Sequence, residues 1–171
     1  MLGTGTADLS ELKNMEIVLL TIGKTSTAYI ETGIEQYLKR LSHYVSFRIK
    51  SIPDLRNARK LTTDQQKEAE GKLLLSEFSS SDMVVLLDER GEEPTSVKFA
   101  GMIEKIMSTG RKRVIFVVGG PYGFSQEVYA RCDRKLSLSK MTFSHEMVRL
   151  FFVEQLYRAM TILRGEPYHH E

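Results

Sequence analysis

A chain of 171 residues, 42% of them apolar, is long enough to bury one real hydrophobic core, and its net charge of +2 does not mark a general nucleic-acid binder. No apolar run nears the roughly 20 residues of a membrane span. A lone cysteine, Cys132, excludes an intrachain disulfide framework and fits a reducing cytosol. The charge is uneven: residues 1–108 hold 14 Lys/Arg against 16 Asp/Glu, residues 109–171 hold 10 against 6. A phosphate-bearing partner would therefore be met by the C-terminal third, the plain alternative being a solvated surface.

In chain order, the first 14 residues have neither a basic nor an apolar signal region, and Met15 opens the first strand directly. The expected division is a poorly ordered extension over 1–14 and a single domain over 15–171. Glu16 to Ile22 reads as a buried strand ended by Gly23. Ser26 is expected to cap a helix from about Thr27 to Ser42, with Ile30, Ile34, Tyr37, Leu38 and Leu41 at helical spacing. A strand over Val45 to Ile52 stops at Pro53, and a loop carrying Arg56, Arg59 and Lys60 follows. Thr63 and Gln66 read as a capping box for a helix reaching about Phe78. Met83 to Leu87 is a third strand, with a polar turn, Asp88 to Pro94, at its end. Ser96 starts a helix to about Ser108. Val114 to Val118 is a continuous apolar run, as in a strand buried on both faces. It ends in the turn Gly119-Gly120-Pro121-Tyr122-Gly123. Leu136 and Leu138 alternate with serines in a short fifth strand, and a long helix runs from about Ser144 to Leu163. The order β-α-β-α-β-α-β-loop-β-α predicts an α/β fold with a mostly parallel sheet flanked by helices.

On the last helix Val148, Phe152, Val153, Leu156, Met160 and Leu163 share one arc, while Met147, Phe151 and Ile162 lie opposite. A helix apolar on two sides must bury both. One side covers the sheet, and the other is expected to meet a second subunit in a two-fold dimer. Arg149 falls inside the main arc. It must find an anion, such as a substrate phosphate, or snorkel to water.

Several constellations are absent: a Walker phosphate loop, a G-x-G-x-x-G after a strand, a Cys/His zinc cluster and a G-x-S-x-G elbow. What remains is a set of loop ends. Gly119-Gly120 lets a ligand approach the backbone, and Leu138-Ser139-Lys140-Met141-Thr142-Phe143 offers backbone amides and apolar side chains suited to an adenine ring. Tyr168 and His169, in the tail, are types that stack on a base or handle a proton, although a tail usually frays.

The stretches M-E-I-V-L-L-T-I-G-K, V-V-L-L-D-E-R-G, V-I-F-V-V-G-G-P-Y-G, L-S-L-S-K-M-T-F-S-H-E-M-V-R and V-E-Q-L-Y-R-A-x-x-I-L-R-G-E-P-Y-H are spread in order over the chain from Met15. Together they closely resemble the RlmH family of bacterial 23S rRNA pseudouridine N3-methyltransferases. The resemblance implies a SPOUT fold with a C-terminal trefoil knot, a rare exception to the rule against knots. It also implies a homodimer in the cytoplasm, no metal, and S-adenosylmethionine as the methyl donor. The implied cofactor contacts are Leu87, Gly119 and Leu138, Ser139, Lys140, Met141, Thr142 and Phe143. The implied substrate is 23S rRNA in the assembled ribosome, since a small chain of net +2 supplies little nonspecific RNA affinity. His169 is the candidate base for the N3 proton and Tyr168 the group that orients the target. Arg149 and Arg158 are candidate phosphate or base contacts, and Arg56, Arg59 and Lys60 outer RNA contacts. The family usually has proline where this chain has Ser144, a reasonable helix cap. Two alternatives stay open: a non-catalytic ribosome-binding or assembly module, and a SPOUT methyltransferase acting on transfer RNA.

Overall fold

The computed structural model describes Ser10 and residues 14–170, so the expected N-terminal extension lies outside the described residues but for Ser10 and Asn14. The elements are β1 (Glu16–Ile22), α1 (Ala28–Leu41), β2 (Ser46–Ile52), α2 (Thr63–Ser76), β3 (Met83–Glu92), α3 (Ser96–Ser108), β4 (Arg113–Val118), α4 (Gln126–Arg131), β5 (Arg134–Leu136) and α5 (His145–Leu163). All five strands are parallel, in the order β2-β1-β4-β3-β5.

Alternation along the strands divides the core in two. Ile17, Leu19, Val85, Val114, Phe116 and Val118 point to one face and pack with Ile30 and Ile34 of α1, Phe99 and Ile103 of α3, and Phe152, Val153 and Leu156 of α5. Val18, Leu20, Val84, Leu86, Ile115 and Val117 point to the other and pack with Leu74 of α2 and Val128 of α4. Strands buried on both faces explain the unbroken apolar runs. Leftward crossovers carry their helix on the first face and rightward ones on the second, so all four share one hand, as parallel crossovers require. The loop after β4 leaves toward one face and the loop after β3 toward the other. A crevice is expected between such strands, at their carboxyl ends.

Local corrections have local causes. The capping box is Thr62 with Gln65, one residue earlier than expected. The repeated threonines and glutamines allow both registers, and the sequence does not choose. β3 does not end at Leu87. It makes an excursion through Asp88 to Gly91 and pairs again at Glu92 with Leu136. The segment 126–131, expected as loop, is the short helix α4, capped by Ser125. The fifth strand is Arg134–Leu136, and Leu138 lies beyond it. Ser144 caps α5, its Oγ accepting from the Met147 N–H at 3.3 Å.

Ser26 does not cap α1. Thr27 holds the cap position with no side-chain cap bond of its own. Glu146, in the first turn of α5, does the work across the fold. Its carboxylate accepts from the Thr27 hydroxyl at 2.7 Å and from the N–H groups of Ser26 and Thr27 at 2.5 and 3.1 Å. The Thr27 hydroxyl first, and then these backbone groups, hold the Glu146 carboxyl down at about 2. A carboxyl lowered by folding stabilises the fold above its unfolded value and loses that contribution as the pH falls through the folded one. Glu146→Gln is therefore expected to be less stable at neutral pH. Its stability curve should converge on that of the wild type between about pH 4.5 and about pH 2. Parallel curves in acid titrations of thermal unfolding would contradict this.

Candidate active site

Three recesses meet around the segment between β5 and α5. One, of about 160 Å³, lies between Leu136–Phe143 and the start of the β3 excursion at Leu87, Asp88 and Glu89. The second, of about 390 Å³, adjoins it through Leu87, Phe143 and Val148 and spreads over the turn Gly119 to Gly123, Tyr129 and His145. The third, of about 210 Å³, opens beyond Leu138 and Phe143 toward Ser96, Phe151 and Gln155. The carboxyl ends of β3, β4 and β5 thus frame one continuous cleft at the switch of connection direction. All eight residues expected to contact a cofactor border its first two recesses.

The cleft is built by backbone. The N–H groups of Leu138, Ser139, Lys140, Thr142 and Phe143 donate to no other described residue. The Met141 N–H donates to Ser139 Oγ at 3.0 Å. A run of undirected amides beside Leu87, Leu138, Phe143 and Val148 offers donors for the ring nitrogens of a purine within an apolar surround. Gly120 opens a tight turn, with the Gly123 N–H donating to its carbonyl at 3.2 Å and Gly123 at φ +84°. A Cβ on Gly120 would lie 2.1 Å from Glu70 Oε2, so the glycine leaves room for a buried carboxyl behind the cleft floor. Burial pushes the Glu70 carboxyl up, while Gln66, donating at 2.8 Å, pulls it back. On the rim, the Tyr129 hydroxyl donates to Asp88. Burial, with that bond, pushes the phenol up to about 12. Glu70 and Tyr129 carry no sequence motif. Only the fold brings them to the glycine turn.

Arg149 corrects one expectation made for it, that of snorkelling to water. It is 2% exposed, and its guanidinium is turned to groups of the chain itself. Its Nη1 donates to Gly23 O and Thr25 Oγ1, and its Nη2 to Ile22 O, each at 3.0 Å. It closes the carboxyl end of β1, whose last carbonyls have no strand partner. Burial pulls its guanidinium below the usual arginine range, with Glu146 and Asp54 opposing.

The tail folds back on the chain rather than fraying. The Tyr168 hydroxyl meets that of Tyr37 at 3.2 Å and donates to Glu154 Oε1 at 3.1 Å. The Tyr168 ring stands edge-on to Tyr157, 4.7 Å between centroids, with the Arg158 guanidinium 4.8 Å from its centre. Arg158 pairs with Glu154 at 2.6 Å and reaches His169 Nδ1 at 3.1 Å. Guanidinium has no lone pair, so Nδ1 accepts this bond. Burial and the bonds to Tyr37 and Glu154 push the Tyr168 hydroxyl up. Tyr168, His169 and Arg158 are thus brought together, but at the far end of α5 from Phe143. His145 and Arg158 are separated by roughly 20 Å along the helix axis. Arg56, Arg59 and Lys60 sit exposed on or beside the 3-10 turn Ala58–Lys60, away from the cleft lining.

Parallel strands ending in a backbone-lined crevice are the architecture of an α/β cofactor-binding enzyme. Residues 15–169 match the family model described as "Predicted SPOUT methyltransferase", and the chain belongs to that family; it is a methyltransferase. Among curated relatives, the ribosomal RNA large subunit methyltransferase H of Christiangramia forsetii is 58% identical over 156 residues, covering 91% of this chain and 99% of that one. The protein of the same name from Porphyromonas gingivalis is 55% identical, and that from Flavobacterium johnsoniae 53%, each over 157 residues, 92% of this chain and all of the other. Among the described residues no group of three or more His, Cys, Asp or Glu is placed to hold a metal ion. No described helix is long and apolar enough to cross a membrane.

Proposed function

We propose that the chain methylates large-subunit ribosomal RNA in the bacterial cytoplasm, at N3 of a pseudouridine in 23S rRNA, with S-adenosylmethionine as donor. The observation that carries the cofactor assignment is the run of undirected amides from Leu138 to Phe143, set among Leu87, Phe143 and Val148. S-adenosylmethionine supplies, when bound, a methyl carbon on a sulfonium that is already electrophilic. The amides and apolar side chains of this loop would hold its adenine, and Gly119 would let it lie against the backbone. The trefoil knot implied by the family resemblance belongs to the same reading.

The residues' share of the chemistry is orientation and proton removal. The target nitrogen must lie in line with the bond that breaks, which is proximity catalysis. It carries a proton, and its lone pair is delocalised over two carbonyls, so a base that removes the proton exposes the nucleophile. His169 is assigned to the proton and Tyr168 to orienting the target. Because His169 Nδ1 accepts from Arg158, base action at that nitrogen requires release of this contact. Arg149, closing β1, is left the indirect role of holding α5 in place.

About 15 Å of α5 separates Arg158 from Val148, which lines the first two recesses, so the tail stands outside those recesses on its own chain. That separation supports a two-fold homodimer in which each tail completes the partner's site. The second apolar side of α5 supports it less than the sequence implied. Met147 and Ile162 pack partly buried against the core, and the Phe143 ring lies 4.8 Å from that of Phe151.

His169→Ala is expected to lower turnover on saturating ribosomes about a hundredfold or more. Cofactor affinity measured by calorimetry should be unchanged. Near-normal turnover would remove His169 from the reaction.

A further inference from the structure

The tail is held by residues that no part of the proposed mechanism uses. Tyr37 belongs to α1 and Glu154 to the middle of α5, and both converge on the Tyr168 hydroxyl, at 3.2 and 3.1 Å. Glu154 has a second task. The same oxygen, Oε1, accepts from Arg158 Nε at 3.1 Å and Nη2 at 2.6 Å. That leaves Arg158 Nη1 turned to His169 Nδ1. One carboxylate oxygen therefore sets Tyr168 directly and His169 through a guanidinium. A guanidinium is planar, so fixing two of its nitrogens fixes the direction of the third. The ring contacts add a second constraint, because Tyr168 is held between the Tyr157 edge and the Arg158 face.

A tail needs such a device. Eight residues beyond a helix lose a large conformational entropy in adopting a single geometry. A group that handles a proton is productive only within a narrow range of position. The bonds to Tyr37 and Glu154 meet that cost within the chain itself, before any RNA arrives.

We propose that Tyr37 and Glu154 are positioning residues of the methyl-transfer site. Together they form a socket that presents Tyr168 directly, and His169 through Arg158, in one arrangement. The inference rests on the tail's assignment to the reaction. It adds that the arrangement is built by α1 and α5 rather than by the bound RNA.

The test uses the full chain with Tyr37→Phe, which removes one hydroxyl, and Glu154→Gln, which keeps the size and removes the charge. Amide exchange of residues 165–170, turnover on ribosomes lacking the modification, and S-adenosylmethionine affinity are read in parallel. The expected result is faster tail exchange, a kcat lowered about tenfold for Tyr37→Phe and more for Glu154→Gln, and an unchanged cofactor Kd. Glu154→Asp should recover part of the loss. Unchanged tail exchange in both variants overturns the socket. A loosened tail with unchanged kcat overturns its role in positioning. A chain lacking Tyr168 to Glu171 separates the two levels. If it keeps full turnover, the assignment of the tail to catalysis has failed. If it is inactive while both point variants turn over normally, the socket alone has failed.

Discussion

Arg149→Met is expected to lower folding stability by about 3 kcal/mol, since each buried acceptor left without a donor costs about 1–3 kcal/mol. The side chain donates to two backbone carbonyls and one hydroxyl at the end of β1. Methionine fills similar volume and satisfies none of them. The Gly23 carbonyl keeps the Thr21 hydroxyl as a donor, and removing a buried charge returns part of its desolvation cost, which keeps the figure below the sum of three lost bonds. For a domain of this size the drop corresponds to about 6–12 °C in Tm. Arg149→Lys, with a point charge in place of a fork, should fall between. A role in binding substrate phosphate predicts the reverse pattern, an unchanged Tm with a raised KM, so thermal unfolding of the two variants decides between them.

Gly91→Ala is expected to loosen the cleft from behind, through the backbone of Leu136, which lines it. A Cβ at Gly91 would lie 2.5 Å from the Lys135 carbonyl carbon and the Leu136 nitrogen. Both are backbone, so no rotamer change relieves the clash. β3 and β5 must separate where Glu92 pairs with Leu136 and where the Ser137 N–H donates to Glu92 O at 2.7 Å. The strain should cost about 1–3 kcal/mol of stability. Because the Leu138–Phe143 loop springs from that junction, S-adenosylmethionine affinity should fall about tenfold or more. Wild-type affinity in calorimetry would show that the loop keeps its shape independently of the β3–β5 junction.

Much of the architecture was legible because a strand buried on both faces, such as Val114 to Val118, writes an unbroken apolar run, and α5 writes a two-sided helix. What escaped had non-local causes. Arg149 was visible as an anomaly in an apolar arc, but its partner Ile22 lies 127 residues away in sequence. Gly91 read as part of a polar turn. Its absent side chain answers to Lys135 and Leu136, which only the sheet order brings beside it. The cap of α1 was assigned to Ser26, the nearest hydroxyl in sequence, whereas Glu146 supplies it from another helix. The loop ends singled out in the sequence border adjoining recesses, because glycines and amide-rich turns at the ends of parallel strands fall together by topology. The tail was read as mobile by default. It is bonded by Tyr37, Tyr44 and Glu154, whose spacing carries no motif.

The central claim is the reaction itself. The most direct measurement is transfer of labelled methyl from S-adenosylmethionine to ribosomes lacking the modification, with free 23S rRNA and transfer RNA alongside. The account predicts label at a pseudouridine N3 of the large-subunit rRNA, on assembled ribosomes only. Label on transfer RNA, or no label anywhere together with no heat of cofactor binding, would contradict it.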